Sequence, residues 1–470
     1  MLNYFWVGLE KSGGIILRLI TMIILARYLS PQEFGTIAVL VVFVSISNVM
    51  AEAGLGGALI RKKVLTELDK STVFIFNFCT SLVLYSIIWM FSPIIEGFYG
   101  SDDMATVIRY LALIVIIKSF ALVPNVLIVR NEFFKVHSKI LIFSNLLSSF
   151  VAIVLAINGV GLWSLVALYL CEAVISTVLI LLFVKPSGNL HFSISNLKVH
   201  LEFGFTVTSS NLLNVIYNNF LSFLIATSYG VRMAGFYYQA NQYSQSIANA
   251  LTAIIDKVSF NKLARAMNDP KTFKSHYEEM FITFTYLGIA VFSLLAFISQ
   301  DFIVFILGSE WSKSGEALQI LCIAGMGILI DGCSRSAIKA SGLVSRLLKV
   351  DVYRKIIGCI ALIVSVEYGF IVLVYTYSLI TLVGSLLNLY LFRSLSEKNV
   401  LIYVVSFLIM SVGLSFISNV ICGIYEDVNL IVNIITKMFI FTFTYTLVTT
   451  FLIKLNKHPI IPLILSNKDS

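Results

Sequence analysis

The amino-acid sequence predicts an all-α polytopic membrane protein with about fourteen transmembrane helices. Of its 470 residues, 58% are hydrophobic and 12% are charged, whereas a soluble domain carries about 45–50% apolar and about 25% charged residues. A soluble chain of this composition has too few polar groups to cover its surface, and a lipid environment removes that difficulty. The apolar residues also form runs of membrane-spanning length, and the basic residues favour alternate loops.

The predicted spans are apolar runs of roughly the 20 residues that a transmembrane helix needs. The first run has no small-residue cleavage site after it, so we expect a retained helix and not a signal peptide. Two tight turns, at Asn158–Gly161 and Val366–Gly369, join neighbouring spans. The fourteen spans lie at about 12–29, 34–54, 71–95, 104–129, 136–157, 160–184, 205–228, 234–256, 278–303, 316–338, 346–366, 368–392, 400–422 and 430–453.

The basic residues separate the two sides of the membrane. The odd-numbered loops hold Arg27, Arg232 and Lys313, whereas the N-terminus and the even-numbered loops hold most of the others, Arg354 among them. Positively charged loops remain in the cytoplasm, so the pattern predicts that both termini are cytoplasmic. An error in the number of spans would have exchanged the sides partway along the chain and weakened this contrast.

An internal repeat predicts two parallel lobes. The segments "ARYLSPQEFGTIAVL" and "ATSYGVRMAGFYYQA" place an alanine and a glycine at Ala26 and Gly35 and again at Ala226 and Gly235, 200 residues later. Six predicted helices separate the copies, and an even number makes the repeats parallel, with an axis along the membrane normal. We therefore predict an N-lobe at 1–185 (spans 1–6), a C-lobe at 186–395 (spans 7–12), and a terminal helix pair with a cytoplasmic tail at 396–470.

The sequence lacks the motifs that mark several classes of enzymes and metal-binding proteins. The chain contains no G-x-x-x-x-G-K-[ST] motif for nucleotide phosphates and no H-E-x-x-H motif for zinc. The histidines form no ligand cluster, and the cysteines form no C-x-x-C pair, so we expect no metal site and no disulfide framework. No loop has the size of a soluble catalytic domain. The net charge of +8 is explained by the cytoplasmic loops, so we expect no nucleic acid partner.

Charged residues inside the spans are the main functional candidates. A charge at a helix centre costs about 2.5–3.5 kcal/mol, so such residues usually face protein or water. Arg18, Lys118 and Glu172 have no partner nearby in the sequence, which favours a water-filled cavity. Asp331 and Arg335 are four residues apart, so they are equally well explained as a pair that neutralises itself along one helix face.

Polar side chains also recur at helical spacing on spans 2, 7 and 8. Interhelical hydrogen bonding is one explanation. A hydrated cleft between the lobes is the other, because these spans are repeat partners of one another or of span 1. Amides and aromatic rings suit a sugar, and cations suit a phosphate. The candidate residues of these stripes are Asn48, Glu52, Asn211, Asn214, Asn218, Gln239 and Gln242.

Two motifs resemble a known family. "LARYLSPQEFGTIAVL" followed by "AEAGLGGALIRKK" resembles the N-terminal signature of the Wzx-like polysaccharide flippases, within the multidrug/oligosaccharidyl-lipid/polysaccharide exporter superfamily. The Gly-x-x-x-x-Gly-x-Tyr element of the second half is present at Gly230, Gly235 and Tyr237. The residues that match the first pattern are Leu29, Ser30, Pro31, Phe34, Gly35, Glu52, Gly54 and Leu55.

The resemblance implies a transporter and not an enzyme. Such proteins move undecaprenyl-diphosphate-linked oligosaccharides across the cytoplasmic membrane by alternating access, without a cofactor. It implies as partners the lipid-linked oligosaccharide, membrane lipids and assembly proteins such as a polysaccharide polymerase. Coupling to a proton or sodium gradient is compatible with it, with Glu172 or Asp331 as the titrating group. The alternatives are a drug exporter of the same superfamily, which would favour a smaller and more acidic cavity, and a membrane polysaccharide polymerase, which would need a larger outer loop.

Overall fold

The described residues are helical almost throughout. In a computed structural model of the chain they are residues 2–100, 103–184, 190–266, 269–341, 343–396, 400–422 and 430–454. Within these ranges the chain forms fourteen helices of 22 residues or more, one short helix and three 3-10 turns, and it contains no strand. The predicted all-α class is confirmed.

The long helices follow the predicted spans in order, and many extend beyond them at one or both ends. A short helix, α3, separates the second span from the third. The helices are α1 (Leu2–Ala26), α2 (Pro31–Glu52), α3 (Leu55–Arg61), α4 (Glu67–Tyr99), α5 (Met104–Arg130), α6 (Phe134–Ile157), α7 (Leu162–Phe183), α8 (Ile194–Tyr229), α9 (Val231–Arg265), α10 (Pro270–Leu307), α11 (Ser312–Ala340), α12 (Val344–Ser365), α13 (Phe370–Leu391), α14 (Val400–Cys422) and α15 (Leu430–Lys454).

Nine helical segments of the described chain are long and apolar enough to cross a membrane, and α1 and α14 contribute shorter apolar stretches. The nine do not include α8, α9 or α12. At 36 and 35 residues, α8 and α9 have ample length, so it is their polar side chains that lower the hydropathy. The protein is therefore a multi-pass membrane protein in which some long helices carry unusually polar faces.

The motif at the start of α2 is a helix cap. Ser30 accepts a hydrogen bond from the backbone N–H of Glu33, and the Glu33 carboxylate accepts one from the Ser30 backbone at 2.7 Å. Pro31 occupies the first turn, where its missing N–H costs nothing. Phe34 is fully buried. The Ser-Pro-x-Glu-Phe sequence thus fixes where α2 begins and which of its faces is packed.

The second motif forms a sharp bend between α2 and α3, in a segment that was predicted as a loop. We call this bend the elbow at α3. Ala53 and Gly54 both adopt left-handed backbone conformations, which end α2 and allow α3 to begin at once. Arg130, at the end of α5, donates to the backbone oxygens of Leu59 at 2.9 Å and Lys63 at 2.7 Å. These bonds satisfy carbonyl groups at the end of α3 that the short helix cannot pair itself.

The repeated glycines bring α2 and α9 into backbone contact. A methyl group on Gly35 would lie 1.8 Å from the carbonyl oxygen of Val231, and one on Gly235 would lie 1.8 Å from that of Pro31. The contact is reciprocal, with each partner 200 residues from its counterpart. Only glycine permits a crossing at this distance.

A second close crossing joins the end of α2 to α8. A methyl group on Gly54 would lie 2.5 Å from the backbone oxygen of Gly204, and one on Gly204 would lie 2.3 Å from that of Ala53. Near it, the buried Asp69 carboxylate of α4 accepts hydrogen bonds from Asn196 of α8 at 3.3 Å and lies 3.1 Å from the His200 ring. The beginning of α8 is thus fixed against α2 and α4.

The chain forms two compact units, Met1–Tyr238 and Gln239–Ser470. In the first, α4 packs on α5, α5 on α7, α7 on α6 and α6 on α1, with α2 and α8 against the α4 end of this row. In the second, α10, α11 and α13 form the centre, and α14 and α15 pack on α10. The boundary of the units falls within α9, whereas the predicted lobe boundary lies at residue 185, so the division into lobes stays a prediction.

Candidate functional site

Two predicted candidates form an ion pair inside the first unit. Arg18 of α1 donates to the Glu172 carboxylate of α7 at 3.1 Å, although the two residues are 154 positions apart. Neither residue has an oppositely charged residue near it in the sequence, and in the fold each is the partner of the other. The Glu172 side chain keeps 41% of its surface exposed and that of Arg18 keeps 18%, so the pair is only partly enclosed.

Both charged residues lie several helical turns from the nearer ends of α1 and α7. Arg18 is eight residues from the predicted outer end of α1, and Glu172 is ten residues from that of α7, which corresponds to about 12 and 15 Å at the helical rise of about 1.5 Å per residue. A hydrocarbon core is about 30 Å thick, so we expect both groups near its middle. Because a charge in hydrocarbon is costly, we also expect the exposed part of the pair to face a polar space.

Two tyrosines complete the surroundings of Arg18. The guanidinium carbon lies 4.5 Å from the centre of the Tyr169 ring, which is a cation–π contact. The Tyr169 hydroxyl lies 3.1 Å from the Tyr238 hydroxyl of α9, so one of the two donates to the other. Tyr169 was not among the candidate residues predicted from the sequence. It stands three residues before Glu172, on the same helix face, and that spacing was the available signal.

The neighbouring turn of α1 is anchored by neutral hydrogen bonds. Thr21, which is buried, donates to the Ser149 hydroxyl of α6 at 2.9 Å, and the Ser149 hydroxyl in turn donates to the Asn145 side chain at 3.4 Å. Thr21 follows Arg18 by three residues, so this contact fixes the rotation of α1 about its axis. The direction in which Arg18 points therefore depends on packing that carries no charge.

A second pair of predicted candidates lies together in the same unit. The Lys118 ammonium of α5 is close enough to the Glu52 carboxylate at the end of α2 for their charges to interact. Both residues are exposed. A methyl group on Gly56 would lie 2.9 Å from a carboxylate oxygen of Glu52, so a glycine at this position leaves room for the acidic side chain.

The asparagine stripe is presented by α8. Asn211, Asn214 and Asn218 recur on one face of this helix, and all three are exposed. Asn48 of α2 is half-buried. The stripe therefore forms an open polar face of the first unit, of the kind that can exchange hydrogen bonds with water or with sugar hydroxyls.

The glutamines on α9 belong to the second unit and differ from one another. Gln242 is half-buried, whereas Gln239 is fully buried, and within the described residues neither polar atom of its amide has a hydrogen-bond partner. The hydroxyl of Tyr243, one turn later on the same helix, is also buried without a partner there. Buried amides and hydroxyls are normally paired, so this face of α9 has capacity for bound water.

The last two predicted candidates belong to a closed network in the second unit. Arg335 donates to the Asp331 carboxylate at 2.7 Å, which is the pairing along α11 that the sequence permitted. Its two terminal nitrogens also donate to both oxygens of Asp351 on α12, at 2.7 and 2.6 Å. The sequence analysis did not include Asp351, because nothing in the chain order shows that α12 faces α11.

Further partners enclose Asp331. Arg354 donates to it at 3.3 Å, and Asn388 of α13 donates at 2.7 Å. The placement of Arg354 corrects its assignment to a basic loop. A methyl group on Gly384 of α13 would lie 2.3 Å from the Arg354 side chain, so a glycine at this position leaves room for that side chain. The two aspartate side chains keep only 13% and 12% of their surface exposed. The network holds three helices together.

The described residues contain no group of three His, Cys, Asp or Glu side chains that could hold a metal ion. What the site offers chemically is a cation, a nearby carboxylate, two phenols and an open amide stripe. Such groups are chemically suited to binding a polar anion, and among the described residues of this site there is no activated nucleophile beside a base.

The sequence of residues 24–316 matches the model of a family described as polysaccharide biosynthesis protein. This chain belongs to that family. Among its relatives, an uncharacterized membrane protein in the cps region of Klebsiella pneumoniae is 26% identical over 68% of this chain and 67% of its own length. The lipopolysaccharide biosynthesis protein WzxC of Escherichia coli (strain K12) is 22% identical over 76% of this chain and 73% of its own.

A solved structure of similar fold extends over nearly the whole chain. The lipid II flippase MurJ, in an inward closed conformation, superposes with a TM-score of 0.71 and covers 96% of this chain and 99% of its own, at 15% identity. At this identity the similarity establishes the fold. The family match also includes the cap of α2, the elbow at α3 and both glycine crossings, so these features belong to the family region of the chain.

Proposed function

We propose that the protein is a flippase for undecaprenyl-diphosphate-linked oligosaccharides. It takes the lipid-linked sugar from the cytoplasmic leaflet of the inner membrane and releases it in the outer leaflet, with both of its own termini in the cytoplasm. The sugar and the diphosphate cross through a hydrated space inside the protein, while the lipid chain stays in the bilayer. No covalent bond changes, so the protein is a transporter and not an enzyme.

The observation that carries the proposal is the partly open Arg18–Glu172 pair near the membrane centre. One terminal nitrogen of Arg18 donates to Glu172 at 3.1 Å, and a guanidinium has five N–H donors in a geometry that matches phosphate oxygens. Lys118 supplies a second exposed cation in the same unit. The asparagine stripe of α8 adds amides suited to sugar hydroxyls, whose hydration must be replaced during passage.

The relatives support the same class of substrate. One carries the name of a lipopolysaccharide biosynthesis protein and the structural neighbour that of a lipid II flippase. A drug exporter would share the fold, but the cationic residues of the first unit favour an anionic cargo. A polymerase would need catalytic groups at the outer surface, where the predicted loops are short.

Energy for transport comes, in this proposal, from a proton or sodium gradient. Glu172 is the better candidate for the titrating group, because it is partly exposed and has a single cationic partner, whereas Asp331 is held by Arg335, Arg354 and Asn388. The products would pass to a polysaccharide polymerase or another assembly protein on the outer side of the membrane.

The deciding experiment deletes the protein in its host and determines where the lipid-linked sugar accumulates. The proposal predicts complete repeat units on the inner leaflet, inaccessible to an enzyme added outside spheroplasts, and restoration by the wild-type gene. Unpolymerised units on the outer leaflet would indicate a polymerase. An unchanged distribution of lipid-linked sugars, with altered resistance to small cationic drugs, would indicate a drug exporter.

A further inference from the structure

The Arg18 guanidinium is contacted in two ways. A carboxylate lies at one of its edges, and an aromatic ring lies against its flat face. Glu172 accepts from one terminal nitrogen, and the Tyr169 ring lies under the guanidinium carbon at 4.5 Å. A carboxylate contact through one oxygen leaves the plane of the guanidinium free to turn about that bond. The ring fixes the plane, because a cation–π contact is strongest when the cation lies over the ring face.

The Tyr169 ring itself is held from another helix. Its hydroxyl shares a hydrogen bond of 3.1 Å with the Tyr238 hydroxyl. A phenol ring can swing about its side-chain bonds, so a fixed hydroxyl at its far end determines the position of the whole ring. Tyr238 follows Gly235 by three residues, next to the backbone crossing of α9 with α2. The crossing thereby fixes the place from which Tyr238 reaches Tyr169.

We infer that Tyr169 and Tyr238 form a positioning pair that orients Arg18 for the diphosphate of the substrate. The inference rests on the proposed function, in which Arg18 binds the diphosphate. Neither tyrosine needs to contact the substrate. Tyr169 acts on Arg18 through its ring, and Tyr238 acts on Tyr169 through the shared hydrogen bond, so Arg18 presents its open edge only while α1, α7 and α9 keep their places.

The tyrosines contribute to the orientation of Arg18 through an aromatic ring and through their hydroxyl groups. Different substitutions remove these two contributions. Tyr238→Phe and Tyr169→Phe each remove the shared hydrogen bond and keep both rings, whereas Tyr169→Leu also removes the cation–π contact. Tyr110→Phe is the matched control, because Tyr110 packs edge-on against Trp163 elsewhere in the same unit. Arg18→Lys keeps the charge but removes the flat group that the ring orients.

The test measures binding of farnesyl diphosphate, a soluble prenyl diphosphate, to each full-length variant in detergent. Each Phe variant is expected to weaken binding about two- to tenfold, the range that one neutral hydrogen bond supplies. The double Phe variant is expected to lose no more than the weaker-binding single variant, because both substitutions remove the same tyrosine–tyrosine bond. Tyr169→Leu should lose more than Tyr169→Phe, and Tyr110→Phe should bind like the wild type.

A positioning role also predicts that the tyrosines matter only through Arg18. In the Arg18→Lys background, Tyr238→Phe is expected to change binding less than twofold. Equal losses in both backgrounds, additive losses in the double variant, or wild-type binding by both Phe variants would each overturn the inference. If the tyrosine variants bind normally while Arg18→Ala does not, the proposed function stands and the positioning pair fails. A wild type that does not bind farnesyl diphosphate overturns both.

Discussion

The first unit and the second unit both bury charged side chains in membrane helices, but they partner them differently. Arg18 and Glu172 meet through one contact of 3.1 Å, and much of the carboxylate remains exposed. In the second unit, Arg335 alone makes three contacts of 2.6–2.7 Å with two aspartates that are mostly enclosed. The Arg18–Glu172 pair can therefore accept a further ligand, whereas the charges around Asp331 are already enclosed by fixed partners.

This difference separates binding from support. A charge whose hydrogen bonds are all satisfied by fixed neighbours gains little from a ligand and loses much when a neighbour is removed. A charge with an exposed counter-ion can exchange it for the anion of a substrate. We therefore assign the Asp331 network to the stability of the second unit and the Arg18 pair to the cargo, although the sequence offered both as candidate sites.

The largest expected effect is the loss of Arg335. Arg335→Ala leaves Asp331 and Asp351 enclosed with fewer cations, and removal of one partner from a buried ionic network costs about 3–5 kcal/mol. We expect little folded protein in the membrane and a strongly lowered thermal unfolding temperature in detergent. Arg335→Lys should lie between this variant and the wild type, because an ammonium cannot grip both oxygens of Asp351. A stable Arg335→Ala protein would contradict a supporting role.

Loss of Arg18 should reduce transport and leave the fold intact. Arg18→Ala removes a charge-assisted contact with the diphosphate worth about 1.5–3 kcal/mol, so we expect export of surface glycan to fall at least about tenfold. Lys118→Ala should also impair export, to a smaller extent. The control is Lys139→Ala, which removes an exposed cation from α6. Normal surface glycan in both Arg18→Ala and Lys118→Ala would contradict the proposal that these cations bind the substrate.

Glu172→Gln should change affinity in the opposite direction. Glutamine keeps the shape of the side chain and removes the charge that competes with the substrate for Arg18. Binding of farnesyl diphosphate is expected to tighten about three- to tenfold, roughly the effect of 1 kcal/mol, with a steeper dependence on salt. If binding weakens instead, Glu172 helps to hold the anion site and does not compete for it.

The smallest effect is expected in the terminal helix pair. Lys437 of α15 donates to Asp301 of α10 at 2.5 Å, and Asn433 donates to the same carboxylate oxygen at 3.4 Å. After Lys437→Ala the Asn433 contact remains, so we expect a loss of about 1 kcal/mol in unfolding free energy and normal export for each folded molecule. An export defect in the stable variant would give α15 a role in transport.

Much of the fold follows from local sequence, and much of the site does not. Local signals indicate the number and order of the helices, because hydropathy is a property of a short stretch of chain. The same holds for the cap at Ser30 and for the glycines that allow close approach, Gly35 and Gly235. The elbow at α3 escaped prediction because a short helix ended by a basic cluster has the composition of a loop.

The partners within the sites required the folded chain. Arg18 and Glu172 are far apart in sequence, and no pattern shows that α1 and α7 face each other at the same depth. Asp331 and Arg335 were predicted as a possible pair because they share one helix face. Their further partners, Asp351 and Asn388, come from α12 and α13, so the distinction between an open pair and a closed network was invisible in the sequence.

The most direct test compares Arg18→Ala with Arg335→Ala as purified proteins, in one assay of unfolding temperature and one of farnesyl diphosphate binding. We predict that Arg18→Ala unfolds at the wild-type temperature within a few degrees and binds at least about tenfold more weakly. We predict that Arg335→Ala unfolds at a much lower temperature, and that the fraction still folded binds like the wild type. The reverse pattern, with Arg18→Ala unstable and Arg335→Ala stable but unable to bind, would contradict it.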